Sequence, residues 1–138
     1  MSLGVLKKLA LLFFLILGLF VGISRSYAAE DNPCLSEDAY VRLVGTIHSQ
    51  TFPGPPNYES IKKGDKAETY WIFESTHPIC ISTEGLMHSF QLIVDPAVYK
   101  NRNLLKERVR VEGVLTPQVT GHHHTPFLID VKEIQAAN

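Results

Sequence analysis

The sequence predicts an all-β domain: a small five-stranded OB-like barrel with one short helix between strands 3 and 4. Three observations predict it. Five segments show two-residue alternation or an apolar run of strand length. A proline-initiated helical turn falls between the third and fourth of these segments. Two segments, "VRLVGTI" at 41–47 and "VRVEGVL" at 109–115, share V-R-x-x-G. Glycine inside a strand marks the bend or bulge by which a small barrel closes. This order of elements is that of the OB-fold.

The first 28 residues stand outside that fold. Lys7 and Lys8 precede the apolar run "LALLFFLILGLFVGI" at 9–23, and Ser26 and Ala28 follow as small residues two apart. That pattern predicts a signal peptide over 1–28, cut after Ala28, and one domain over 29–138 in the periplasm or secreted. The run is shorter than the roughly 20 residues a spanning helix needs. The membrane is therefore met only through this segment, if it stays uncleaved. "DNPC" lacks the apolar and small residues expected before a lipidated cysteine.

Loss of the leader removes Lys7, Lys8 and Arg25 from 13 basic residues and none of the 14 acidic ones, leaving −4. With no basic run, a nucleic-acid partner is not expected. The two cysteines, Cys34 and Cys80, both lie in the exported part and predict one disulfide. Closing a loop of that length stabilises by about 4 kcal/mol in the chain-entropy account. A metal role for His77 and Cys80 in "HPIC" is the weaker alternative, because structural zinc takes four ligands.

Strand 1 is "YVRLVGTIHS", with Val41, Leu43, Gly45 and Ile47 on one face. "QTFPGPPNYESIKKGDKA" follows as a long loop, a length that points to function or disorder. "ETYWIFEST" is strand 2, with "HPICIST" continuing the sheet after a bend at Pro78. "HSFQLIVD" is strand 3, facing inward through Phe90, Leu92 and Val94. Asp95 caps a short helix or helical turn over "PAVYKNRNLL". "ERVRVEGVLTP" is strand 4, aligning Val109, Val111, Gly113 and Leu115. "PFLIDVKEIQ" is strand 5, aligning Phe127, Ile129 and Val131.

Function is expected in two loops. OB-folds commonly bind over strands 2 and 3, flanked by the loops joining strands 1–2 and 4–5. The first holds "FPGPPNYES", where Pro53, Pro55 and Pro56 fix backbone angles. Phe52, Asn57 and Tyr58 there form either a pre-organised contact patch or a stiff connector. The second loop holds "TGHHHTPF". In an extended chain His122 and His124 share one side, so they are candidates for ligand contact and for chelating zinc or copper. A third ligand would have to come from His48, His77, His88, Glu84 or Asp130. The bland alternative is a polar loop whose histidines bond to backbone groups. Of Tyr70, Trp71 and Phe73, some enter the core, and an exposed ring would give a stacking platform. There is no G-x-S-x-G and no H-E-x-x-H, so no catalytic residue is assigned and an enzyme is not expected.

"TFPGPPNYES", "HPIC", "VRVEGVL" and above all "TGHHHTPFLIDV" resemble an exported bacterial family, the domain-of-unknown-function family 4431. The resemblance is best over the C-terminal half of residues 29–138 and implies an OB-like domain, but no catalytic residue. The expected role is an exported binding module for an envelope protein, peptide or glycan, contacted through Phe52, Asn57, Tyr58, His122 and His124. The alternative is a periplasmic metal-binding protein. No cofactor is expected beyond zinc or copper in that second case.

Overall fold

The computed structural model describes residues 34–137; the leader expected over 1–28 lies outside them. The strands are β1 (Tyr40–Pro53), β2 (Ala67–Ile81), β3 (Gly85–Ile93), β4 (Arg108–Pro117) and β5 (Phe127–Ala136). They close into a barrel in the order β1–β2–β3–β5–β4, with β3 and β5 parallel and the other pairs antiparallel. The all-β, OB-like architecture predicted from the alternation is the observed one.

The echoed V-R-x-x-G segments prove to be partners. They run antiparallel, with Val41 opposite Gly113 and Gly45 opposite Val109. Strand β1 pairs with β4 over Tyr40–Thr46 and with β2 over Gly45–Pro53, so it changes neighbour at Gly45. A Cβ at Gly45 would run into the Glu74 carbonyl oxygen and the Phe73 ring. Gly113 sits at a register shift in the β4–β5 ladder, where a Cβ would meet the Asp130 carbonyl. Both glycines permit the close backbone approach that barrel closure needs. Between them Arg42 donates from Nε to Glu112 Oε1 at 2.7 Å, and Tyr40 Oη donates to Glu112 Oε2 at 3.2 Å.

Trp71, Phe73, Phe90, Val109, Val111, Leu115, Phe127 and Ile129 fill the interior. Each such side chain contributes about 1.5–3 kcal/mol by leaving water. Trp71 and Phe73 are thus core residues, and of the three strand-2 aromatics only Tyr70 reaches the rim. The short helix or helical turn expected over this segment is two short pieces: helix α1 (Pro96–Tyr99) and a 3-10 turn at Arg102–Leu105. Asp95 caps α1 by accepting from Ala97 N at 2.7 Å. Tyr99 stacks on Trp71 with ring centroids 4.9 Å apart and donates its hydroxyl to the Thr69 carbonyl at 2.7 Å. The turn buries Leu104 against the core.

Three strand limits differ from expectation, and β3 begins at Gly85 rather than His88. Strand β1 runs on to Pro53, shortening the loop that follows. Strand β2 continues through Pro78 as one strand, because the proline falls in a register shift between Glu74 and Ile79, where a missing N–H breaks no ladder bond.

Cys34 and Cys80 form the expected disulfide, with Cα atoms 4.6 Å apart. Beside it Leu35 N donates to Cys80 O at 2.8 Å and Ser82 N to Leu35 O at 2.9 Å, so the chain at Leu35 runs along the end of β2. Such a bond belongs to an oxidising, non-cytoplasmic compartment. No helix among the described residues is long and apolar enough to cross a membrane.

Candidate functional site: two loops locked over strand 2

The β1–β2 loop (residues 54–66) is shaped by one carboxylate. Asp65, buried, accepts from the backbone N–H of Asn57 at 3.0 Å, Glu59 at 2.8 Å and Ser60 at 2.8 Å. The Asn57 amide donates to it as well, at 3.2 Å. These bonds, the Ser60 N–H first, hold the Asp65 carboxyl below its usual range. The loop neck closes through Gly54 N to Lys66 O at 2.7 Å and Lys66 N to Pro55 O at 2.9 Å. Tyr58 is held with φ 59°, the left-handed region that a bulky side chain rarely adopts. Its N–H donates to Gly54 O at 2.9 Å. Backbone strain of this kind persists where surrounding bonds over-determine it; here it aims the phenol ring at the second loop.

The β4–β5 loop (residues 118–126) is not extended. Thr120 to His123 forms a turn, with His123 N donating to Thr120 O at 3.1 Å. His122 and His124 still come to the same side, while His123 folds back so that its Nδ1 accepts from Val119 N at 3.1 Å. The loop is clipped to β3 by Gln91, a buried amide. Its Nε2 donates to His122 O at 3.0 Å and its Oε1 accepts from His124 N at 2.8 Å. Thr125 completes the clip, accepting from Gln91 N at 2.9 Å and donating to Phe127 O at 2.7 Å.

The two loops meet over the start of β2. His124 stacks on Phe52, with centroids 4.0 Å apart and planes 1° from parallel. Tyr70 tilts against the same imidazole at 5.5 Å. Glu68 Oε2 lies 2.8 Å from His122 Nδ1 and accepts from Tyr70 Oη at 3.0 Å. The His122 contact, then the Tyr70 bond, favours an ionised Glu68, and its pKa is lowered. An ionised carboxylate only accepts, so His122 carries its proton on Nδ1. In the neutral ring Nε2 is then an acceptor, and Tyr58 Oη, 3.3 Å away, is its donor. Gly121 lies against the Tyr58 ring, where a Cβ would come within 3.0 Å. Burial, then the Glu68 bond, pushes the Tyr70 phenol up to about 12.

Four of the five expected contact residues are therefore joined: Phe52, Tyr58, His122 and His124. Asn57 is not in the cluster; its amide braces the loop through Asp65. Spacing alone missed Glu68, Asp65 and Gln91. Glu68 and Tyr70 stand at i and i+2, one face of β2, and Gln91 is the polar residue inside the apolar run "FQLIV". As potential metal ligands, His122 has both ring nitrogens engaged and His124 Nε2 is buried. Among the described residues no group of three or more His, Cys, Asp or Glu is placed to hold a metal ion.

Next to the cluster runs a groove of about 600 Å3, lined in part by His122, His123, Pro96, Tyr99 and Lys100. Thr69, Tyr70 and the β3 end from Gln91 to Val94 complete its lining.

Residues 89–135 match the family model of the domain of unknown function DUF4431. The DUF4431 segment covers about a third of the chain and holds Gln91, α1, Lys100 and the histidine loop. Phe52, Tyr58, Glu68 and Tyr70, which complete the cluster, lie before it. No curated protein and no solved structure was found to match the chain.

The cluster makes acid stability predictable. Burial lowers the His124 pKa below its ordinary 6.5, so the folded state takes up a proton less readily than the unfolded chain. Its contribution is complete above about pH 6.5 and is lost as pH falls through the folded value. Asp65, Glu68 and Glu112, also held low, add a second loss below about pH 4, the ordinary carboxylate range. Melting temperature followed from pH 8 to 3 should fall in these two stages. His124→Phe keeps the stack on Phe52 and should remove the first stage alone.

Proposed function

We propose that the protein is a periplasmic or secreted binding module that contacts a protein, peptide or envelope glycan through the rim built by its two loops. The observation that supports this is the locking of two otherwise independent loops into one surface, Phe52–His124 and Tyr58–His122–Glu68–Tyr70, over the strand face that OB-folds commonly use. A connector has no need to hold a tyrosine in a left-handed conformation against the opposite loop. Pre-ordering the rim lowers the entropy lost on association. Tyr58, Ile61 and Val119 are exposed on these same two loops and supply apolar contact area.

Tyr58→Ala tests the proposal. Binding of the purified protein to peptidoglycan fragments and to an arrayed peptide library is expected to weaken about tenfold or more, as for a central interface tyrosine. The melting temperature should change by less than about 4 °C, because the ring is partly exposed. Asn57→Ala is expected to lower stability instead, since it removes one of the bonds to Asp65. Unchanged binding by Tyr58→Ala would remove the rim from consideration. Saturable zinc or copper binding tighter than about 10 µM, roughly −7 kcal/mol, would move the function to His122 and His124.

A further inference from the structure

The groove beside the rim has a chemistry of its own. Its walls are apolar: Leu92, Ile93, Val94, Pro96 and the Tyr99 ring. Nearly every polar side chain in the lining is already engaged. Thr69 pairs with Thr51, Tyr70 donates to Glu68, Tyr99 donates to the Thr69 carbonyl, Gln91 spans the histidine loop, and His122 lies between Glu68 and Tyr58. Two groups remain. Lys100 makes no ion pair among the described residues. His123 accepts at Nδ1 from Val119 N–H, which places its own ring hydrogen on Nε2. Both remaining groups are donors, one of them a fixed positive charge, and the lining contains no carboxylate.

We propose that this groove binds a small amphipathic carboxylate, its aliphatic or aromatic body against Leu92, Ile93, Val94 and Tyr99 and its acid group on Lys100 and His123. A cavity of about 600 Å3 is within the range of small-molecule sites. Apolar walls supply most of the affinity of such a site, and a few placed polar groups set orientation and selectivity. A cationic ligand would meet Lys100 and no counter-charge. A neutral one would forgo the attraction of the Lys100 ammonium, which is exposed.

The protein carries its own reporter. Trp71 is the sole tryptophan, fully buried, and stacks on Tyr99, whose other surroundings include the groove. Titration with decanoate should shift Trp71 emission saturably, with Kd below about 1 mM. Decanol and decylammonium should bind at least about tenfold more weakly, the worth of one charge-assisted hydrogen bond. Lys100→Met keeps the apolar stem and removes the charge; it should weaken decanoate about tenfold while leaving decanol unchanged. Ile93→Asp should abolish binding of both. Equal binding of decanol and decanoate, indifference of decanoate to Lys100→Met, or no saturable shift would each overturn the proposal. The rim is tested by glycan and peptide binding and the groove by Trp71 emission, so either proposal can fail while the other stands.

Discussion

Replacing Gly45 by valine is expected to cost more than about 3 kcal/mol and to lower the melting temperature by more than about 12 °C. The reason is place, not conformational freedom: Gly45 carries no positive φ. It is the residue at which β1 parts from β4 and joins β2, and the space a side chain would need is filled by the Glu74 carbonyl and the Phe73 ring. Backbone cannot give way there without opening the β1–β2 ladder. Phe73 cannot move without disturbing the core. A domain of this size has only about 5–15 kcal/mol of stability, so one substitution removes a large part of it. Gly64 provides the contrast. Its φ is 109° and a Cβ there meets open space, so Gly64→Ala should cost about 1–2 kcal/mol from conformation alone. Circular dichroism melts of the two variants separate the causes. A Gly45→Val protein that melts within a few degrees of the parent would show that the barrel does not close through that contact.

The paired glycines also show why this barrel was legible in its sequence. Alternation identifies a strand because one face is buried, and Val109, Val111, Gly113 and Leu115 are all buried as their spacing requires. The V-R-x-x-G echo marked the two strands that bend, although only the structure shows that they bend against each other. The choice between a short helix and a helical turn was less legible. "PAVYKNRNLL" has a sound start in Asp95 and Pro96, but Val98, Tyr99, Leu104 and Leu105 pack on the core without continuous helical geometry, and tertiary contacts decided the outcome. The site was visible as loops and invisible as a cluster. Phe52 and His124 are far apart in the chain, and nothing in their local sequence says that their rings stack. Nothing in the local sequence singles out Asp65 and Glu68, because what distinguishes them is the set of donors that folding brings to them. His122 and His124 were correctly placed on one side, for a different reason: a turn and the Gln91 clip rather than an extended strand.

That clip carries the second large effect. Gln91→Leu is expected to destabilise the protein by about 2–4 kcal/mol and to free the histidine loop while leaving the strands paired. Leucine is close to glutamine in size, so the core keeps its volume. What is lost is both ends of the amide: the His124 N–H and the His122 carbonyl each lose a buried partner. An unmet buried polar group costs more than the net worth of the bond it made, and the loop relieves that cost by moving toward water. The Gln91 backbone bond to Thr125 is untouched, so β3 should stay seated against β5. Hydrogen exchange distinguishes this from general loosening. The amides of His122 to His124 should exchange much faster in the variant, whereas those of Leu92 and Ile129 should keep their protection. Binding at the rim should fall with the loop, because Tyr58 and Glu68 lose His122 and Phe52 loses His124. If instead the His124 amide remains as protected as in the parent, the loop is held by its aromatic stack alone, and Gln91 is a passenger in the site rather than its clasp.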